Sequence, residues 1–124
     1  MLEAERVLRA FYQAWGVPDL EAILALVADD VVYENVPVAT RLVGREAFRE
    51  WFSGGLAALD RIDVAPRTVL AEGEMVMMER VDDHIAGDRH MILPVVNVSR
   101  VVDGRIVEYR DYFDLDTVRA IGLA

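Results

Sequence analysis

The chain has no cysteine, which excludes a disulfide framework, a thiolate nucleophile and a cysteine-based zinc site. It has no lysine either: all 13 basic residues are arginine. Schiff-base chemistry and a P-loop both need that lysine, so both are excluded. Positive charge is scarce. Against 13 basic residues stand 22 acidic ones, for a net charge of −9, which argues against nucleic acid as a partner. No apolar run is long enough for a membrane span, so no membrane partner is expected. Met1 to Glu5 are acidic and helical in character, unlike a secretory leader, and the expected location is cytoplasmic.

What is present points to a folded domain. The chain has 124 residues, 54% of them hydrophobic, enough for one domain over 1–124 with its own core. Leu2, Val7, Leu8, Phe11, Tyr12 and Trp15 recur at helical spacing. Gly16-Val17-Pro18 ends that helix, and Asp19 caps a second from Leu20 to Val27. Asp30 to Val38 reads as a strand, and Arg45 to about Leu59 as a third helix ending at or just beyond Gly54-Gly55. From Arg61 to Asp114 the chain is β-branched and strand-like, cut by turns at Glu72-Gly73, Gly87-Asp88 and Asp103-Gly104. Asp116 is expected to cap a short final helix. This order predicts an α+β domain: a cone-shaped, curved mixed β-sheet wrapped around N-terminal helices, with one deep pocket at its mouth.

The chemistry concentrates on two strands. In "ERVDDH", alternation puts Arg80, Asp82 and His84 on one face. A two-residue turn at Gly87-Asp88 pairs His84 with Met91, Asp82 with Leu93 and Arg80 with Val95. The turn at Asp103-Gly104 leaves two registers. One sets Asp111 opposite Val96. The other, with a bulge at Gly104, sets it opposite Val95 and gathers Arg80, Val95 and Asp111 into one row and Asp82, Leu93 and Phe113 into the next. Asp111 lies between aromatic neighbours on an apolar face, so it is expected to be buried, and a buried charge must be paired or neutralised. A structural Arg–Asp pair meets that need. So does a proton-transfer site, because two carboxylates and one arginine sum to −1 and one proton brings the set to zero.

Three segments in order, Tyr33-Glu34-Asn35, Arg80-Val81-Asp82 and Tyr109 to Asp114 ("YRDYFD"), resemble the limonene-epoxide hydrolase family of the nuclear-transport-factor-2-like superfamily. The likeness runs from about Val31 to Asp114. It implies hydrolysis of a small or cyclic epoxide to a vicinal diol in one step. In that scheme Asp111 is the general base, Asp82 the general acid and Arg80 the bridge between them. Tyr33 and Asn35 hold the attacking water. The resemblance implies no metal, cofactor or covalent intermediate.

The remaining pocket residues follow from the register. Met78, His84, Leu93, Val95, Asn97 and Phe113, with Trp15 from the first helix, are expected to contact substrate. His84 and Asn97 make the pocket more polar than a terpene epoxide needs. His84 and His90 flank one hairpin tip, and with Asp82 or Asp83 they would still lack an obvious further metal ligand. Ile92, Pro94, Val96 and Val98, beside Met77 and Val81, form an outer sheet face too apolar for water, so a homodimer through that face is expected. Two rival functions share the fold: an isomerase or cyclase of the ketosteroid isomerase or polyketide cyclase type, and a non-catalytic small-molecule-binding domain.

Overall fold

The computed structural model describes residues 1–123. Helices α1 (Glu3–Gly16) and α2 (Leu20–Leu24) lead into strand β1 (Val27–Asn35). A 3-10 turn (Val36–Val38) and the short strand β2 (Thr40–Val43) follow, then α3 (Arg45–Ala57). Four strands then run consecutively: β3 (Arg61–Glu72), β4 (Met75–Ala86), β5 (Arg89–Val102) and β6 (Arg105–Tyr112). Helix α4 (Leu115–Ala120) closes the order. No helix among the described residues is long and apolar enough to cross a membrane.

The six strands form one sheet in the order β2-β1-β6-β5-β4-β3. β1 lies parallel to β6, and the other pairings are antiparallel, so the sheet is mixed as expected. Its inner face meets α1, whose buried stripe is Ala4, Val7, Leu8, Phe11, Tyr12 and Trp15. All the aromatics except Tyr112 and Phe113 join one interlocking set between α1, α3 and the sheet. Aromatic edges and faces pack there at offset geometry, so a few rings hold much of the core.

Several expected boundaries move. The strand expected over Asp30–Val38 begins at Val27 and ends at Asn35, because Pro37 forces the 3-10 turn and Ala39 turns left-handed (φ 55°) to start β2. The helix expected to run to Val27 stops at Leu24, although Asp19 caps it as expected, accepting from the Ala22 N–H at 3.1 Å. The final helix is capped by Asp114, not Asp116. Asp114 comes first in the chain and accepts from the N–H groups of Asp116 and Thr117 and from the Thr117 hydroxyl.

The β4–β5 register is the expected one, with His84 opposite Met91, Asp82 opposite Leu93 and Arg80 opposite Val95. Neither expected β5–β6 register holds. Asp103-Gly104 is a two-residue turn with both residues at positive φ (50° and 75°), the geometry that fits a twisted hairpin. A bulge between Arg100 and Val101 then adds one residue to β6, and Asp111 lands opposite Asn97. The two rows expected from the Val95 register therefore do not form.

Candidate active site

The inner face of β4 carries Arg80, Asp82 and His84 by simple alternation. Next to β5, β6 carries Tyr109 and Asp111, and the parallel β1 sets Tyr33 beside Tyr109 and Asn35 beside Asp111. The Tyr33 and Tyr109 rings stack at 4.4 Å and 8° between planes. Helix α1 lies across this face and brings Tyr12 and Trp15 over Arg80. The result is a cavity of about 540 Å³. Arg80, Asp82, His84 and Asp111 line its charged wall, and Tyr33 and Asn35 stand next to them. Leu93, Val95, Phe113 and Trp15 form the strand and α1 sides. Trp51, Phe52, Leu56 and Leu59 close it from α3 and the turn after it, and Val118 and Leu123 from the C-terminal end.

Arg80 is a buried clamp, only 1% exposed. Its Nε donates to Asp82 Oδ1 at 2.8 Å and Nη2 to Asp82 Oδ2 at 3.1 Å. Nη1 and Nη2 donate to the two oxygens of Asp111, both at 2.8 Å. The remaining N–H of Nη1 reaches the Tyr12 hydroxyl at 2.8 Å. All five guanidinium hydrogens thus have acceptors, which a lysine in the same place could not provide. The direction of the hydroxyl chain follows. Tyr12 already accepts from Arg80, so its O–H donates to Tyr109 at 2.8 Å, and Tyr109 donates to Asp111 Oδ2 at 3.0 Å.

Asn97 completes the set. Its Nδ2 donates to Asp111 Oδ1 at 2.9 Å and to the Arg110 carbonyl at 3.1 Å, while its Oδ1 accepts from Ser99 Oγ at 2.6 Å. Asp111 therefore receives four donors and Asp82 two. The carboxylate with more donors is the better place for the negative charge. Burial pushes the Asp82 carboxyl above its usual range. The Arg80 charge offsets that only in part, and the Asp111 charge adds to the rise. Burial also raises Tyr12, Tyr33 and Tyr109 well above an ordinary phenol, so all three stay protonated. Burial works against the Arg80 charge, but the Asp111 carboxylate and its other neighbours outweigh it and hold the guanidinium protonated.

Two expected contact residues do not reach the cavity. Asn97 is fully buried behind Asp111, because the β6 bulge sets the two opposite each other. Met78 is fully buried in the core against α1 and the neighbouring strands. Tyr12, Tyr109 and Ser99 were not anticipated as members of the site. The signal was present for the tyrosines: a hydroxyl inside a helix stripe or a strand face that is otherwise apolar needs a buried partner. His90 lies outside the cavity, with Nδ1 2.7 Å from Asp83 Oδ2. Among the described residues no group of three or more His, Asp or Glu is placed to hold a metal ion.

Residues 8–109 match the family model of the SnoaL-like domain. The chain belongs to the SnoaL-like family. It is 34% identical over 108 residues to the epoxide hydrolase EphG of Mycobacterium tuberculosis, covering 86% of this chain and 70% of that protein. The solved structure of an LEH-like epoxide hydrolase from M. tuberculosis superposes with a TM-score of 0.84 at 32% identity, covering 96% of this chain and 88% of that one. The resemblance to limonene-epoxide hydrolases, read from three strand segments, thus extends over most of the chain. The fold also carries other chemistry. IdmH of Streptomyces antibioticus, a candidate polyketide cyclase, superposes with a TM-score of 0.81 at 22% identity, covering 97% and 98% of the two chains. That likeness shows the fold alone.

Proposed function

We propose that this SnoaL-like protein is an epoxide hydrolase that adds water to a small or cyclic epoxide in one general acid/base step. The observation that carries the reading is the Asp82–Arg80–Asp111 clamp on the wall of an otherwise apolar cavity, with Tyr33 and Asn35 beside Asp111. EphG and the LEH-like enzyme, which are named for this activity, support it.

The roles divide by environment. Asp111, the better-solvated anion, takes a proton from a water that Tyr33 and Asn35 orient. The water oxygen bonds to one epoxide carbon as the C–O bond on that carbon breaks. The departing oxygen takes the proton of Asp82, whose burial favours the protonated form. The step leaves Asp111 protonated and Asp82 ionised, and solvent in the open cavity restores both. Carrying its proton, Asp82 gives up one contact to Arg80, and the longer one, Nη2 to Oδ2 at 3.1 Å, is the cheaper to lose.

Asp111 needs one change to act as a base. Protein donors fill its four lone-pair positions. Arg80 and Asn97 are fixed by their other partners, but the Tyr109 hydroxyl turns about a single C–O bond. Its turning gives the water a lone pair on Oδ2. This completeness also favours a second reading, a binding pocket whose ionic cluster is structural.

Single turnover in heavy-oxygen water separates the two. Wild type converts small cyclic and styrene-type epoxides to diols carrying the label on the first turnover. Asp111→Asn lowers the rate about 10²–10⁴-fold, the usual share of one general base. A first-turnover diol without label means a covalent ester instead. No diol from any epoxide in the panel moves the weight to the binding pocket or to enolate chemistry on the same scaffold.

A further inference from the structure

His84 is the one charged-type side chain on the cavity wall that the proton-transfer scheme leaves unused. It lines the cavity two residues along β4 from Asp82, on the same face. Its Nδ1 lies 3.1 Å from the main-chain oxygen of Met91, its partner across the β4–β5 ladder. A carbonyl oxygen only accepts, so Nδ1 carries the hydrogen. In the neutral ring Nε2 is then an acceptor with a free lone pair. No protein donor among the described residues reaches Nε2, and it is not among the buried unpartnered atoms. Asp82 is its charged neighbour on β4, and the cavity is otherwise largely apolar, with Leu93 and Ile62 on the flanking strands, Leu59 after α3, and Val118 on α4. In such a wall a lone acceptor loses a water hydrogen bond whenever a purely hydrocarbon ligand fills the site, and that loss is a penalty a donor-bearing ligand avoids.

We propose that His84 is a specificity residue: its Nε2 receives a hydrogen-bond donor, an alcohol O–H or an amide N–H, carried on the apolar body of the substrate. For the epoxide chemistry this rests on the hydrolase reading. With the epoxide oxygen at Asp82, a two-residue step along a strand puts the donor roughly 7 Å away, a few bonds from the ring. The substrate class is an oxygenated cyclic epoxide, not a bare hydrocarbon one.

The test uses binding as well as turnover, so that it does not depend on the reaction. Trp15 and Trp51 both line the cavity, and their fluorescence reports occupancy. The probes are trans-4-tert-butylcyclohexanol and its methyl ether, which keeps the oxygen but has no donor. Wild type binds the alcohol about tenfold more tightly than the ether at pH 8. His84→Leu brings that ratio to about one, and His84→Gln, which keeps an acceptor, retains part of it. The same pattern is expected in kcat/KM for a hydroxylated cyclohexene oxide against its methyl ether. An equal ratio in wild type and His84→Leu overturns the proposal, as does a wild type with no preference for the alcohol. If His84→Leu does not fold, the wild-type and His84→Gln ratios decide in the same way. Alcohol preference without any diol leaves the His84 assignment standing and removes the hydrolase reading.

Discussion

Arg80 is where charge, burial and geometry meet. A guanidinium that is 1% exposed satisfies two carboxylates and a phenol at once, and its reach closes the gap between β4 and β6. Asp82 has a testable consequence for stability. Its folded-state pKa lies above the ordinary carboxyl value, so the folded protein binds that proton more tightly than the unfolded chain does. The stability from it is complete below the unfolded value, near 3.9, and is lost as pH rises through the folded value. Asp82→Asn removes this loss. Thermal melts from pH 4 upward should show the midpoint of Asp82→Asn moving in the variant's favour, relative to wild type, as pH rises. A difference that stays flat with pH would show that Asp82 does not titrate upward on folding. That Arg80, Asp82 and His84 share a face was legible because the alternation along β4 is clear, whereas Tyr33 and Asn35 entered through the family resemblance. Tyr12 was not legible, because its spacing in α1 is that of any core aromatic and only the packing of α1 on the sheet brings its hydroxyl to Arg80.

At the scale of elements, one bulge decides the back of the site. Without the extra residue in β6, Asp111 would face Val96, and Asn97 and Ser99 would have no buried carboxylate to support. Turn chemistry at Asp103-Gly104 reads from sequence, but a bulge a few residues away leaves no local signature there. Helix α3 offers a separate test. It runs through Gly54 and Gly55 to Ala57, past two residues that weaken a helix. A methyl group at Gly54 would meet nothing within 4 Å, and its φ is not positive. Gly54→Ala should therefore stabilise the protein by about 0.5–1 kcal/mol, read as a higher denaturant midpoint with an unchanged slope. A loss of stability would mean that α3 is not a continuous helix at this point.

For the whole molecule the outer sheet face carries the open question. Leu70, Met77, Ile92, Val96 and Tyr112 are exposed on β3 to β6, and the register sets Leu70 beside Met77 and Val96 beside Tyr112. The same face also carries Glu79 opposite Val96 and Asp83 opposite Ile92, and its exposed apolar area is costly in water. We propose that a second copy covers it, sheet to sheet, as a two-fold dimer. Sedimentation should give a dimer for wild type and a monomer for Val96→Glu, with the cavity and its ligand binding retained. A wild type that sediments as a monomer at micromolar concentration would end that proposal.

The sequence by itself determined which side chains share a face, because period-two alternation and tight hairpin turns are local. It therefore placed Arg80, Asp82 and His84 together, set β4 against β5, and called for a mixed sheet around helices. Only the tertiary structure decided that β1 lies parallel beside β6, that Asp111 faces Asn97, and that Tyr12 and Tyr109 link the arginine to the carboxylate. Those contacts join residues far apart in the chain. They are set by which faces can be buried together, a property of the folded whole that no short stretch contains.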